Sequence, residues 1–66
     1  MIIIGKVIEE ELRRQERTKV WLARQLGCNR TYLYSIFEKQ SVDTDILLRL
    51  SRILGRDFFK LYSDEL

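Results

Sequence analysis

The chain contains no proline and no histidine, and it has three glycines and one cysteine among its 66 residues. Without proline, and with glycine scarce, helices run uninterrupted and connections stay short, which favours an all-helical domain. Without histidine, Ser–His–Asp and Cys–His nucleophilic chemistry is excluded. Cys28 stands alone, so no internal disulfide forms and the fold does not depend on an oxidising compartment. There is no glycine-rich phosphate loop. The acidic run Glu9–Glu11 points in several directions and has basic neighbours, which makes it a poor metal cluster. An enzyme is not expected, and no cofactor is implied. No apolar run approaches the ~18 residues that a membrane span needs. The apolar start, Met1–Ile4, is short for a signal peptide and has no basic leader before it. The expectation is a soluble, cytoplasmic protein.

What remains is a chain rich in Leu and Ile at helical spacing, long enough for one domain near the lower size limit for a self-sufficient core. The hydrophobic fraction, 45%, is that of an ordinary globular fold. Net charge is only +2, but it is unevenly placed. Residues 1–18 balance, and residues 40–66 are slightly acidic. Residues 19–39 carry Lys19, Arg24, Arg30 and Lys39 against Glu38 alone. A local positive excess of this kind is the footprint expected where a phosphate backbone docks.

Periodicity and punctuation predict five helices. The first covers Ile4 to Gln15, with Ile4, Val7, Ile8 and Leu12 on one face. Its other face carries Glu9, Glu10 and Glu11 one turn before Arg13 and Arg14, and is read as a solvated face with Glu9–Arg13 and Glu10–Arg14 pairs. Thr18 caps a second helix, Lys19 to Leu26, with Val20, Leu22, Ala23 and Leu26 available to the core. Gly27 stands where a helix ends in a left-handed residue. Asn29 is placed to cap a third helix, Arg30 to about Glu38. A fourth begins at Asp43, stapled by Val42 and Leu47, and carries the stripe Ile46, Leu47, Leu50, Ile53, Leu54 until Gly55 stops it. Asp57 caps a short fifth helix bearing Phe58, Phe59, Leu61 and Tyr62.

The break Gly27-Cys28-Asn29 is the informative feature. Helices joined so tightly cannot lie side by side; the second must cross the first steeply. On a wheel of ~100° per residue, Leu33, Ile36 and Phe37 share one arc of the third helix. Arg30, Thr31, Tyr34, Ser35 and Glu38 fill the opposite arc with hydrogen-bonding groups. A helix braced from behind, with a polar outer face, suits the major groove, which is ~12 Å wide and admits one helix.

From Lys19 to Glu38 the chain resembles the helix-turn-helix of the phage-repressor and Cro-like (XRE-type) transcription factors. Ala23 stands in the fifth place of that pattern, Gly27 in the ninth, Leu33 in the fifteenth and Ile36 in the eighteenth. The segments "IGKVIEEEL", "WLARQLGCNRTYLYSIF", "DTDILLRLS" and "DFFKLYSDEL" look like small stand-alone bacterial members. The resemblance implies a single all-α, five-helix, lambda-repressor-like domain over residues 1–66. It also implies a transcriptional regulator binding double-stranded DNA in a sequence-specific way.

By position, the resemblance assigns base contacts to Asn29, Arg30, Thr31, Tyr34 and Ser35. Arg30 suits a bidentate contact to guanine. Asn29 either pairs with adenine or caps its own helix. Thr31 and Ser35 suit bases or phosphates. Tyr34 either gives its hydroxyl to phosphate or rests half-buried with a wet tip. Lys19 takes a place that often holds glutamine and, with Arg24 and Lys39, is either a phosphate contact or solubilising surface. Glu38 repels phosphate but can accept from cytosine. Trp21 either packs in or near the core or touches the DNA backbone or a partner, and Cys28 is read as a small apolar filler.

The competing reading is a protein-interaction module that keeps the fold without reading DNA. A homodimer is the expected assembly, because two helices related by a two-fold span half-sites ~34 Å apart. The apolar leader Ile2–Ile4 and the segment Phe58–Leu66 are candidate dimer surfaces, or else close the core of the monomer.

Overall fold

The computed structural model describes all residues 1–66 and contains five helices and no strand. They are α1 (Ile4–Arg14), α2 (Lys19–Leu26), α3 (Arg30–Phe37), α4 (Thr44–Leu54) and α5 (Phe59–Ser63). Three begin on a side-chain cap, which occupies an amide that no helix turn can satisfy. The Thr18 hydroxyl accepts from the Trp21 amide at 3.0 Å, Asn29 Oδ1 from Tyr32 at 2.8 Å and Asp43 Oδ1 from Ile46 at 2.8 Å. The boundaries of α2 are those expected. α1 and α3 each stop one residue early, at Arg14 and Phe37. At α5 the cap position itself is Phe58, in helical conformation, while Asp57 Oδ1 accepts from the Phe59 amide at 3.0 Å.

α1 has no oxygen of its own to cap it, because Ile3 holds the cap position. Its first amides, Ile4 and Gly5, instead donate to the carbonyls of Gln40 and Lys39 at 3.2 and 3.0 Å. The start of α1 therefore lies against the end of α3. Gly5 makes that approach possible: a Cβ there would stand 2.3 Å from the Ile36 carbonyl oxygen and 2.4 Å from that of Phe37.

The ends of α1, α2 and α4 follow one scheme. The Cys28 amide donates to the Ala23 carbonyl, Arg56 to Ser51 and Arg17 to Leu12, the six-residue closure of a Schellman motif. The left-handed residues of these motifs are Gly27 (φ 76°), Gly55 (φ 65°) and Glu16 (φ 57°). Only the last is not glycine, so no glycine marks this helix end in the sequence.

The core gathers Ile4, Ile8 and Leu12 of α1, Leu22, Ala23 and Leu26 of α2, Leu33, Ile36 and Phe37 of α3, Leu47, Leu50 and Leu54 of α4, and Phe58. α1 and α2 each pack on both α3 and α4. Val42 and Leu47 line one groove with Phe59 and Tyr62. Ile2, Phe59 and Leu61 also rest against the core, so much of the leader and of the C-terminal segment closes the monomer. No helix is long and apolar enough to cross a membrane.

Three expectations need correction. Val20 is 45% exposed and lies outside the core, because α2 buries only the flank bearing Leu22, Ala23 and Leu26. Glu11 is not on a solvated face: it is 4% exposed and is the one buried charged residue. It follows Ile4 and Ile8 at helical spacing and so turns inward with them. The Arg14 Nε donates to Glu11 Oε2 at 3.0 Å, Gln15 Nε2 to the same oxygen at 2.8 Å and Arg56 Nη1 to Oε1 at 3.0 Å. The expected pairs Glu9–Arg13 and Glu10–Arg14 do not form; Glu9 meets Lys19 at 3.4 Å instead. Gln15 Nε2 also reaches the Leu54 carbonyl at 2.7 Å, tying the end of α1 to the end of α4.

Candidate nucleic-acid interface

α3 is anchored from one side only. Leu33 and Ile36 are fully buried and Phe37 nearly so, and α1 and α2 supply what they pack against. Ala23, buried on α2, has no side chain beyond Cβ, so the two short helices approach closely. The turn between them is held at both ends. Gly27 adopts the left-handed conformation, and Asn29 caps α3. Arg49 of α4, which sequence reasoning passed over, donates through Nη2 to the Leu26 carbonyl and satisfies the end of α2. Cys28 packs partly buried against the core. Burial pushes its thiol pKa up, against the opposing pull of the Arg49 charge.

The opposite side of α3 is open. Asn29, Arg30, Thr31, Tyr34 and Ser35 are all exposed, as are Lys19, Arg24 and Lys39. The fold thus brings the five expected base-contacting residues onto one surface. Their remaining hydrogen-bonding capacity differs. Arg30 and Thr31 make no side-chain hydrogen bond within the protein, and Arg30 joins no ion pair, so the whole guanidinium fork is available. Asn29 spends its oxygen on the cap and keeps its amide hydrogens. Ser35 donates its hydroxyl hydrogen to the Tyr32 carbonyl at 2.6 Å, which leaves the oxygen as an acceptor only.

The flanking cations also differ. Lys19 Nζ is 3.4 Å from a Glu9 oxygen and lies over the rings of Tyr34 and Phe37, at 5.3 and 5.7 Å from their centroids. A phosphate there competes with Glu9 for the ammonium. Lys39 Nζ stands 6.0 Å over the Tyr32 ring. Arg24 has no partner in the chain. Trp21 packs against the core with the Arg17 guanidinium 4.6 Å above its ring, the first of the two readings of the indole. Tyr32 is the residue that sequence reasoning missed. It is 39% exposed beside the polar arc, on the flank opposite Arg30, and its place on the wheel was the available signal.

Chemically, this surface offers the unpaired guanidiniums of Arg30 and Arg24, a threonine hydroxyl, one serine acceptor, two phenols and the ammonium groups of Lys19 and Lys39. Compared with protein-family models, with curated proteins and with solved structures, the chain matches none of them.

Proposed function

We propose that the protein binds double-stranded DNA in a sequence-dependent way and regulates transcription. In this reading α2, the Gly27–Asn29 turn and α3 act as a helix-turn-helix of the phage-repressor and Cro-like kind, within a lambda-repressor-like domain. α3 enters the major groove. One observation carries the reading: α3 is buried along one arc and wholly open along the other, and the open arc holds Arg30, Thr31, Tyr34 and Ser35. A helix is ~10–12 Å across with its side chains, which matches the width of that groove. Arg30 reads guanine, and Thr31 and Ser35 read or brace neighbouring positions. Arg24 and Lys39 hold phosphates, and Lys19 does so where it releases Glu9.

The test is a selection of bound duplexes from a random pool, followed by titration of the selected duplex at two salt concentrations. Affinity should fall steeply with salt through counterion release. Arg30→Ala should cost ~1–3 kcal/mol and relax the preference at one base position. Failure to select any duplex, or binding indifferent to salt, removes the DNA reading. The exposed rings of Tyr32 and Tyr34, beside the acidic Glu38, support the second reading, a protein-interaction surface built on the same helix.

A further inference from the structure

A second basic surface, centred on Arg13 and Arg17, lies at the corner between α1 and α2. Residues 1–18 balance in charge, so a tally along the sequence does not mark it. The fold separates those charges. Glu10 and Glu11 line one recess with Arg14 and Arg56. Arg13, Arg17, Thr18 and Lys19 line another, of about 280 Å³, with Leu12 and a single acid, Glu9. Glu16, in the left-handed position, turns the chain there, and the Arg17 amide donates back to the Leu12 carbonyl at 3.1 Å. The end of α1 and the start of α2 therefore present their cations to the same space. Lys19 is engaged by Glu9, at 3.4 Å. Arg13 and Arg17 are exposed, meet no carboxylate and make no side-chain hydrogen bond within the chain.

The Arg17 guanidinium lies 4.6 Å from the centre of the Trp21 ring. The ring holds its face, and the N–H groups around its edge stay free. Part of the side chain's freedom is thus lost before any ligand arrives, which favours binding. The Thr18 oxygen accepts from the Trp21 amide, so its hydrogen remains to be donated. Three cations against one acid leave an excess of positive charge in the lining, and guanidinium forks match phosphate oxygens. We propose that this recess holds a phosphate group, gripped by the guanidiniums of Arg13 and Arg17, the Thr18 hydroxyl and Lys19. Lys19 Nζ also lies 5.3 Å from the centre of the Tyr34 ring, so the recess borders the open face of α3. The phosphate that fits this place belongs to the backbone of a duplex whose groove α3 occupies. That source rests on the DNA-binding reading, while the site itself does not.

Amide NMR with inorganic phosphate tests the site, at fixed ionic strength with chloride as the balancing anion. The indole N–H of Trp21, the only tryptophan, and the amides of Thr18 and Lys19 should shift saturably, with half-saturation at ~1–20 mM. The double variant Arg13→Gln, Arg17→Gln should raise that concentration ~10-fold or more. Its helical circular dichroism should be unchanged, since both residues are exposed. Shifts that do not saturate, that chloride alone reproduces, or that saturate in the double variant as in the wild type overturn the site. A duplex selected by the wild type decides the source. The double variant should bind it ~10-fold more weakly, with the same base preference and a salt slope reduced by about 1. Undiminished duplex affinity in the double variant overturns the backbone source and assigns the site to free phosphate. If the wild type selects no duplex, the DNA-binding reading falls, and the phosphate titration decides the site by itself.

Discussion

Two residues illustrate how differently a single position can matter. Gly5 has ordinary helical geometry, and its importance lies in what it nearly touches. An added methyl would overlap the Ile36 and Phe37 carbonyl oxygens, which are backbone and cannot swing aside. Gly5→Ala should therefore cost ~2–3 kcal/mol in urea denaturation, although alanine is the better helix former. Glu11 acts through charge. Its hydrogen bond with Arg14 outweighs the opposing effect of burial and, with Gln15 and Arg56, brings its pKa from 4.5 down to about 2. The folded state thus holds the proton less tightly than the unfolded state does. The stabilisation is fully present above pH 4.5 and is lost as pH falls toward 2. Both arginines are open to water, so solvent screening limits the contribution to ~1–2 kcal/mol. The melting temperature should drop across this window, and Glu11→Gln should flatten the drop while lowering stability at neutral pH.

At the scale of the helices, stability depends on how the ends are closed. α1, α2 and α4 end in the same hydrogen-bonded motif, with Glu16, Gly27 and Gly55 in the left-handed position. At Gly27 there is room for a side chain, the nearest atom being an Arg49 nitrogen at 3.9 Å, so the cost of substitution is conformational and not steric. Gly27→Ala should destabilise by ~1 kcal/mol. Glu16→Gly should do the reverse and stabilise by ~0.5 kcal/mol, the relief of a left-handed glutamate being partly offset by the freer unfolded chain. Paired thermal melts of the two variants check both signs. The Gly27 variant should also weaken DNA binding if the proposed reading holds, since the turn sets where α3 stands.

As a whole molecule, this is a domain with little stability to spare. A chain of this length buries only about 60% of the surface that its unfolded form exposes, less than a larger domain does, and is stable by only a few kcal/mol. Phe58 is its largest fully buried side chain, and it fastens the C-terminal segment to the core with the Arg56 guanidinium 5.4 Å from its ring. Phe58→Ala should cost ~3–5 kcal/mol, comparable with the total. The expected outcome is a chain that is largely unfolded at room temperature, read by circular dichroism. The open face of α3 rests on this same small core, so its geometry is lost with it.

Much of the architecture was legible in the residues themselves, because its signals are local. Thr18, Asn29 and Asp43 cap the amides three residues ahead, Gly27 and Gly55 end their helices, and apolar spacing selects Leu33, Ile36 and Phe37 as the inner arc of α3. The polar outer arc then follows from the same wheel, so the make-up of the candidate surface is contained in helical spacing alone. What only the tertiary structure decided involves partners far apart in the chain. Lys39 and Gln40 cap α1, Arg49 closes α2, Arg56 reaches Glu11, and Glu9 engages Lys19. Helical spacing says which way a side chain points along its own helix. It carries no information about which distant carbonyl or carboxylate the packing of another helix brings within three ångströms.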